Sequence, residues 1–389
     1  MTRPLTFRLD EVAEVTAGNP APQGPNDFCP DGAPFVRMQD VGRTHWTKSL
    51  TSTTDRLTKE AVARHRLRRF PRGTLLIPKS GASVNLNHRA LLGTDAYVVS
   101  HLAAVVPKAA TIDAEYLYYW SLTYDPRHQA QTTSLPSLPT ALIKAARLPV
   151  PSIQKQRRIV DLLGRAEGIV RLRREAHQMA AELIPAIFID MFGDPATNSK
   201  GWRMSAIERL CGVQTGATPR KEERCYYDGG TVPWARTGEV RGGHIWQVEE
   251  RITELAVEAT NCKVFPANTI LVAMYGQGQT RGRAGMLRVP AATNQACAAI
   301  LPGDAINAAY LFAALNLQYE RLRAMGRGGN QANLNLGMIK SFEVPCPPKE
   351  AQLQFVERAA AMESILRQQG DALEKATAMF DALLSRAFH

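Results

Sequence analysis

The feature that most constrains this chain is a duplication of its sequence at roughly half its length. Across the 389 residues, matching segments recur at a period of roughly 196. They are residues 70–77 (FPRGTLLI) and 265–272 (FPANTILV), 116–118 (YLY) and 310–312 (YLF), and 148–151 (LPVP) and 344–347 (VPCP). This period is far longer than the roughly 20–50 residues of solenoid repeats. Each half therefore has the same order: a mixed globular part, a Pro-x-Pro segment and a long helical segment.

The globular parts are predicted to mix strands and helices. Short apolar runs at 74–78, 97–106 and 269–273 contain β-branched residues and are typical of buried strands. Residues 115–124 and 307–323 have the composition of helices. The pattern does not give the order of the strands.

The segments after each Pro-x-Pro carry apolar residues at a 3-4 spacing. In residues 154–191 the seam is Ile159, Leu162/Leu163, Ala166, Ile169/Val170, Ala176, Ala180, Leu183 and Ile187, interrupted by Arg173. In residues 352–388 it is Phe355, Ala359, Met362, Leu366, Leu373, Ala376, Phe380, Leu383 and Ala387, interrupted by Gln369. Two matched stripes favour coiled-coil pairing, with Arg173 and Gln369 as polar seam residues that fix the register. The alternative is two ordinary amphipathic helices in a globular core. Pro185 predicts a kink or an end of the first helix.

The charge balance points to a polyanionic partner. Lys and Arg number 47 against 36 Asp and Glu, which gives a net charge of +11. Such a surplus on a globular composition most often accompanies nucleic acid, although a basic enzyme without a polyanion is the alternative. The chain lacks an apolar run of about 18 residues and a signal-peptide core. Its six scattered cysteines favour free thiols in a reducing cytoplasm over a zinc site or disulfides.

Motifs of autonomous catalysis are missing from the sequence. It has no P-loop, no His-Glu-x-x-His and no Asn/Asp-Pro-Pro-Tyr/Phe methyltransferase motif. The Gly-rich run at 276–282 lacks the strand and helix that a dinucleotide site requires. We therefore expect no catalytic residue, metal site or cofactor in this chain.

Basic, amide and glycine residues coincide on turn-rich segments of both halves. Arg pairs with guanine or phosphate, and Asn or Gln pairs with adenine in the major groove. The candidates in the first half are Arg66, Arg68, Arg69, Lys79, Ser80, Asn85, Asn87 and Arg89. Those in the second half are Tyr275, Gln277, Gln279, Thr280, Arg281 and Arg283, and Arg327, Asn330, Gln331 and Asn333. The alternative is that these are flexible surface loops.

The order of these pieces resembles the specificity subunit of type I restriction-modification systems. The best-matching part is residues 148–160 (LPVPSIQKQRRIV) continuing to 188–195 (FIDMFGDP). In the second half, residues 232–240 (VPWARTGEV), 274–276 (MYG), 293–296 (TNQA) and 330–335 (NQANLN) are also similar to that family. The first half departs from the pattern, with Ser100-His101 in place of Asn294-Gln295. By this resemblance Arg236 joins the candidate DNA contacts.

The resemblance implies an α+β fold with two mixed α/β target-recognition domains, residues 1–150 and 199–345. Each is followed by a long helix, in 151–193 and 348–389, and the helices pair as an antiparallel coiled coil with pseudo-two-fold symmetry. The helical spacer positions named for this role are Ile159, Ala166, Arg173, Ala180 and Ile187, and Phe355, Met362, Gln369, Leu373 and Phe380.

The resemblance also implies a cytoplasmic, non-catalytic subunit that recognises an asymmetric bipartite target in double-stranded DNA. Two methyltransferase subunits, which use S-adenosylmethionine to methylate adenine N6, would dock on it. ATP- and Mg-dependent restriction subunits would join that core. The alternatives are a stand-alone DNA-binding regulator or architectural protein, an autonomous nuclease or methyltransferase, and a helical scaffold without DNA affinity.

Overall fold

The computed structural model describes residues 5–24, 26–44, 47–81, 83–125, 137–276, 278–326 and 333–388. Contacts divide the chain into two compact units. Unit 1 combines Met1–Arg174 with Ala372–His389, and unit 2 is Glu175–Asp371. Each unit thus contains a globular part, the first half of the helix that follows it, and the last part of the other long helix.

Unit 1 contains short strands, short helices and portions of both long helices. The strands are β1 (Thr6–Arg8), β2 (Ala13–Ala17), β3 (Phe28–Val36), β4 (Ser49–Leu50), β5 (Asp55–Leu57), β6 (Arg69–Phe70), β7 (Leu75–Pro78), β8 (Ala90–Leu92), β9 (Ala96–Val98), β10 (Leu102–Pro107) and β11 (Arg147–Pro149). The helices are α1 (Leu9–Val12), α2 (Met38–Thr44), α3 (Lys59–Arg64), α4 (Ser83–Leu86), α5 (Ala114–Thr123), α6 (Thr140–Ala145) and the start of α7 (Ile153–Phe192).

Unit 2 has a matching set of elements. The strands are β12 (Met204–Ala206), β13 (Val213–Thr215), β14 (Val232–Ala235), β15 (His244–Ile245), β16 (Arg251–Ile252), β17 (Val264–Phe265), β18 (Ile270–Ala273), β19 (Ala284–Leu287), β20 (Ala291–Thr293), β21 (Cys297–Ile300) and β22 (Glu343–Pro345). The helices are α8 (Glu254–Ala259), α9 (Ala308–Leu317), α10 (Tyr319–Ala324), α11 (Leu336–Ser341) and the start of α12 (Lys349–Phe388). Short 3₁₀ helices cover Ile207–Arg209, Arg224–Tyr226 and Thr237–Glu239.

The sheets of the two units correspond strand for strand. Unit 1 has sheets in the orders β2-β10-β7-β8-β4, β5-β3-β9-β6 and β1-β11. Unit 2 has β13-β21-β18-β19-β15, β16-β14-β20-β17 and β12-β22. In both units the edge pair of the five-stranded sheet (β4 with β8, β15 with β19) is parallel, as is β3 with β9 and β14 with β20. The predicted α+β class with two mixed domains is confirmed.

Two sequence-based element bounds are wrong. Residues 97–106 form two strands, β9 and β10, because the chain turns between Val99 and Leu102, whose N–H donates to the Val99 carbonyl at 3.0 Å. Residues 307–323 form two helices, since buried Gln318 ends α9 and its own side-chain amide donates to the Ala314 carbonyl. Apolar periodicity alone does not reveal such breaks, because both flanking segments remain buried.

The long helices begin on one globular part and end in the core of the other unit. In unit 1, Phe388 at the end of α12 packs on Tyr116 of α5, with ring centroids 5.1 Å apart. In unit 2, Phe192 at the end of α7 packs on Tyr310 of α9 at 5.0 Å. Each unit therefore pairs the start of one helix with the end of the other, which makes the pairing antiparallel. Burial of such side chains contributes roughly 1.5–3 kcal/mol each.

A buried glutamine fixes the start of each long helix. Gln156 accepts the N–H of Asp113 at 2.8 Å and donates to the carbonyls of Thr111 and Pro151. Gln352 accepts the N–H of Asn307 at 2.8 Å and donates to the Pro347 carbonyl. These bonds join α7 to the N-cap of α5 and α12 to the N-cap of α9, so each globular part is attached to the helix that follows it.

The buried stripe of α7 differs from the predicted seam in its middle. The seam residues Val170 and Ala180 are buried as predicted, but Arg173 and Leu183 are exposed, and Ile184 next to Leu183 is half-buried instead. An ideal helix drifts by about 20° per heptad relative to a 3.5-residue repeat, so the inward face moves on by one position. The prediction that Arg173 lies in the seam is wrong, because it assumed the same 3-4 spacing along the whole helix. Arg174 and His177 are the half-buried polar residues of this stretch.

The remaining spacer positions lie on inward faces. Ala166 and Phe355 are buried, and half-buried positions are Ile159, Ile187, Met362, Gln369, Leu373 and Phe380. Pro185 lies inside α7 and is exposed, and the helix continues through it to Phe192 rather than ending there. Within the described ranges, none of the helices combines the length and hydropathy needed to cross a bilayer.

Candidate nucleic-acid interface

The basic patch of the first half is largely ion-paired. Arg68 makes a two-pronged contact with Glu14, both N–O distances being 2.7 Å, and Arg69 lies 3.6 Å from Asp95. The bond from Arg68 lowers the pKa of the Glu14 carboxyl below its usual value. Arg66 is exposed, with a left-handed backbone of φ 49°. The patch is therefore less positive than its sequence suggests.

The segment after β7 includes one arginine that is too deeply buried to contact DNA. Arg89 is 1% exposed, and its guanidinium donates to Asn87 Oδ1 at 2.6 Å and to the carbonyls of His88 and Tyr124. Burial lowers its pKa to about 10. A buried charge persists only when it is well bonded, so Arg89 holds this segment together. Its candidacy as a DNA contact is wrong.

The neighbouring candidates of the first half remain accessible. Asn85 is exposed, and Lys79 and Ser80 are half-buried. Ser80 Oγ lies 2.7 Å from Nδ1 of His101. Asn87 has φ 51° and accepts from Arg89, so its oxygen is engaged within the loop.

The glycine-rich loop of the second half packs on α10. Arg283 lies over the ring of Tyr319 at 4.2 Å, and the Tyr319 hydroxyl donates to the Gln279 carbonyl at 2.9 Å. Tyr275 is exposed, and Thr280 and Arg281 are half-buried. Of the other candidates, Asn333 is half-buried, whereas Gln277, Arg327, Asn330 and Gln331 lie outside the described residues.

Arg236 lies in a cleft that its sequence neighbours do not reveal. This Arg236 cleft has a volume of about 520 Å³ and is lined by Thr218, Lys221, Tyr227, Trp234, Arg236, Glu250, Asn294 and Gln295. A second opening of about 390 Å³, the Lys263 cleft, is lined by Thr215, Gly216, Ala217, Thr218, Asn261, Lys263 and Gln295. The two share Thr218 and Gln295, so they form adjoining parts of one polar surface.

Two carboxylates hold Arg236, one through its guanidinium and one through its backbone N–H. The guanidinium lies 2.8 Å from Glu250, and the backbone N–H of Arg236 donates to Glu239 at 2.8 Å. Glu239 also accepts the N–H of Glu249 at 2.9 Å, which joins the turn after β14 to the segment that leads into β16. The Arg236 side chain nevertheless remains 47% exposed.

Unit 1 repeats this arrangement with residues that sequence reasoning missed. Arg37 is paired with Asp55, and its backbone N–H donates to Asp40 at 2.8 Å. Asp40 also accepts the N–H of Thr54 at 3.4 Å. The signal was present in the duplication, because an arginine follows the equivalent strands β3 and β14. The resemblance drew attention to the second copy only.

A glycine brings two strands of each unit into close contact beside this arginine. A Cβ on Gly216 would lie 1.8 Å from the Thr293 carbonyl oxygen, and one on Gly18 would lie 2.3 Å from the Val99 carbonyl oxygen. Neither approach is possible for a residue with a side chain. The backbone around both arginines is therefore built in the same way.

The described part of the chain shows no metal site, and Cys211 and Cys297 are among its buried cysteines. No cluster of three His, Cys, Asp or Glu side chains there could hold a metal ion. Burial raises the pKa of the Cys211 thiol to about 11 and that of Cys297 to about 12. These two thiols therefore stay protonated at neutral pH.

Comparison with known proteins identifies the family. The family described as the type I restriction modification DNA specificity domain matches residues 5–176 and 199–375, one copy in each half of the chain. The chain belongs to this family. Both copies of the specificity domain therefore run from a globular part into a long helix.

Relatives and solved structures agree with this membership. The chain is 20% identical to the MjaIX specificity subunit of Methanocaldococcus jannaschii over 72% of its own length and 68% of that protein. It is 28% identical to the EcoR124I/EcoR124II specificity subunit of Escherichia coli over 36% of each chain. Its fold is similar to a type I restriction-modification S subunit from M. genitalium (TM-score 0.58, 14% identity, covering 100% of this chain and 99% of that one). A chain from a structural study of assembly and conformational transition in the type I system is similar too (TM-score 0.61, 17% identity, 100% and 98%).

Proposed function

We propose that this specificity-domain protein is the DNA-reading subunit of a type I restriction-modification complex. It recognises an asymmetric bipartite target in double-stranded DNA and has no catalytic role of its own. The observation that carries this proposal is the duplication of a complete unit with divergent polar loops. Two equivalent but non-identical recognition domains suit two DNA segments of different sequence, separated by a gap that is not read.

The long helices support a fixed spacing between the two reading events. Each helix is anchored at its start by a buried glutamine and at its end by a buried phenylalanine. A helix anchored at both ends fixes the distance between its anchors, at about 1.5 Å per residue. Four residues added to each helix lengthen it by about 6 Å, which corresponds to about two base pairs of the gap at most.

The exposed side of α7 supports docking of protein partners. It carries Leu162, Ile169 and Leu172 in unit 1 and Met179, Leu183 and Ile189 in unit 2, all at least 43% exposed. Large exposed apolar side chains in series are typical of a surface that another protein covers. We assign this role to two methyltransferase subunits, which would bring S-adenosylmethionine, with ATP- and Mg-dependent restriction subunits joining them in the cytoplasm.

The partner subunits would supply the catalytic activity, and this chain would supply the sequence specificity. An adenine that is methylated on N6 has to leave the base stack and enter a partner's pocket. The recognition domains need only bind the duplex on either side of it.

Mapping methylated adenines in the host genome, with and without this gene, tests the proposal. We expect a bipartite motif with two different half-sites to lose its methylation when the gene is deleted, and to regain it on complementation. An unchanged methylome combined with altered transcription near binding sites would favour a stand-alone regulator. Methyl transfer by the purified chain alone would favour an autonomous enzyme.

A further inference from the structure

We propose that the Arg236 cleft and the Lys263 cleft together bind the phosphodiester backbone of DNA. This inference rests on the proposed function and deepens it, because it assigns the second recognition domain a backbone-binding surface outside its glycine-rich loops. It also assigns Arg37 the equivalent role in the first domain.

The charge of the two clefts favours an anion. Their lining residues include the cations Lys221, Arg236 and Lys263 and one carboxylate, that of Glu250. The carboxylate is itself 2.8 Å from Arg236, which remains 47% exposed beside it. Lys221 and Lys263 are both exposed. A duplex strand carries one negative charge per nucleotide, at about 3.4 Å per step, so it can meet such separated cations in series.

The amide side chains of the clefts present donors. The Oδ1 of Asn294 accepts the N–H of Ala296 at 3.2 Å, and the Oε1 of Gln295 accepts the Thr218 hydroxyl. With both carbonyl oxygens engaged within the fold, the NH₂ groups remain as the donors that these amides can offer a ligand. Phosphate oxygens only accept hydrogen bonds. A lining of ammonium, guanidinium and NH₂ groups therefore complements a phosphodiester.

The aromatic residues of the Arg236 cleft argue against a stacked base. Trp234 is 3% exposed, and its indole N–H donates to the Ala217 carbonyl at 3.1 Å. The hydroxyl of Tyr227 donates to the Pro219 carbonyl at 2.7 Å, and its ring packs edge-on against Trp234 at 6.4 Å. Stacking on a nucleobase needs an accessible ring face. These rings are instead engaged with each other and with backbone carbonyls in the wall of the cleft.

Arg37 in unit 1 has the same contacts as Arg236 in unit 2, which indicates that the two arginines have the same role in both domains. Arg37 and Arg236 follow equivalent strands. Each is paired with an acid at, or immediately before, the start of the neighbouring strand, and its backbone N–H donates to a second acid. Groups that read different sequences have reason to diverge between the domains. A group that binds the invariant backbone has reason to stay the same.

Salt-dependent DNA binding by the full-length chain tests this inference. The chain would be purified from its host with the subunits it retains, and binding to labelled duplexes would be followed by fluorescence anisotropy at several salt concentrations. One duplex carries the methylated motif and one does not. The test variant is Lys221→Ala with Lys263→Ala. The control is Arg203→Ala with Arg209→Ala, which removes the same charge from exposed residues of unit 2 that do not line the clefts.

We expect the test variant to bind both duplexes several-fold more weakly. Its slope of log K against log salt should be smaller by about 2, since each phosphate contact contributes about 0.9. The control should keep most of the wild-type slope. Equal behaviour of the two variants would overturn the inference, and so would a loss confined to the duplex with the motif, which would indicate base reading. If the wild-type preparation bound neither duplex, the proposed function itself would fail.

Discussion

Tyr116 in unit 1 and Tyr310 in unit 2 hold equivalent places, and each packs on the phenylalanine that ends the opposite long helix. The charged contacts between globular part and helix differ. Glu167 of α7 accepts the Tyr119 hydroxyl at 2.7 Å and lies 3.7 Å from Lys48. Its counterpart Glu363 of α12 lies 3.7 Å from Arg288 and 3.5 Å from His244.

This comparison separates what the duplication preserves from what it allows to change. The apolar anchors and the buried glutamines are the same in both units, because they determine whether the helix is joined to the fold at all. The charged contacts lie nearer the surface and contribute less, so their partners have been exchanged. We therefore expect the two units to share one architecture but to differ in how strongly each substitution lowers their stability and in how that stability depends on pH.

The largest expected effect comes from removing the terminal anchors. Phe192→Ala should lower the free energy of unfolding of unit 2 by about 3–5 kcal/mol. Its ring contacts those of Phe188, Tyr310, Phe355 and Trp202, whereas Phe388 contacts the ring of Tyr116. Phe388→Ala should therefore cost unit 1 less. Amide hydrogen exchange reports the two units separately.

Met379→Ala provides the control for the anchor variants, since that side chain is 46% exposed on α12. It should change the free energy of unfolding that hydrogen exchange reports by no more than about 0.5 kcal/mol in either unit. Equal losses for Phe192→Ala and Phe388→Ala would break the comparison. They would mean that ring contacts do not decide the strength of the anchor.

The buried glutamines should show a smaller difference. Gln156→Leu removes one accepted and two donated hydrogen bonds, and Gln352→Leu removes one of each. Leaving buried backbone groups unpaired costs about 1–3 kcal/mol, with the Gln156 variant at the upper end. Urea titration of both variants would measure this. A larger loss for Gln352→Leu is the contrary outcome.

The smallest expected effect is the pH dependence that His244 adds to the stability of unit 2. Burial, helped by Arg288 and Arg367, lowers the pKa of His244 to about 4. An unfolded histidine titrates near pH 6.5, so between about pH 6.5 and 4 the unfolded state binds more protons. Unit 2 therefore loses stability as the pH falls through this window, by about 1–2 kcal/mol at pH 5. Burial raises the pKa of Glu363, which opposes the effect at the acid end.

His244→Phe should remove this pH dependence, because phenylalanine has no titratable group. The ring of Phe312, 5.4 Å from the imidazole, offers the new ring a packing partner. Hydrogen exchange at pH 7 and pH 5 would compare the variant with the wild type. Unit 1 has Lys48 in the corresponding contact, so its pH dependence should be the same in the variant and the wild type. A variant that keeps the wild-type dependence would show that another group of unit 2 is responsible.

Much of the fold could be predicted from sequence because its signals are local and repeated. The seam of α12 follows a fixed 3-4 spacing, and strands β7 and β18 lie where apolar runs repeat. The phase of α7 could not be predicted, because two apolar stripes run along that helix and sequence does not show which one is covered. Exposed Leu162 and Ile169 belong to the second stripe.

The candidate site was harder to predict because its members are distant in sequence. The Arg236 cleft is assembled from segments around Thr218, Trp234, Glu250 and Asn294, each unremarkable alone. Conversely, Arg89 lies in a basic run yet is buried. Composition identifies residue types, whereas the strand order β16-β14-β20 decides which of them face a common opening.

The central claim is that each half of the chain reads one half of a bipartite target. The most direct test is to replace residues 199–343 with the corresponding segment of another specificity-domain protein and to map methylated adenines in the host genome. We expect a new motif in which one half-site changes, while the other half-site and the gap are retained. A change in both half-sites, or an unchanged motif, would contradict this claim.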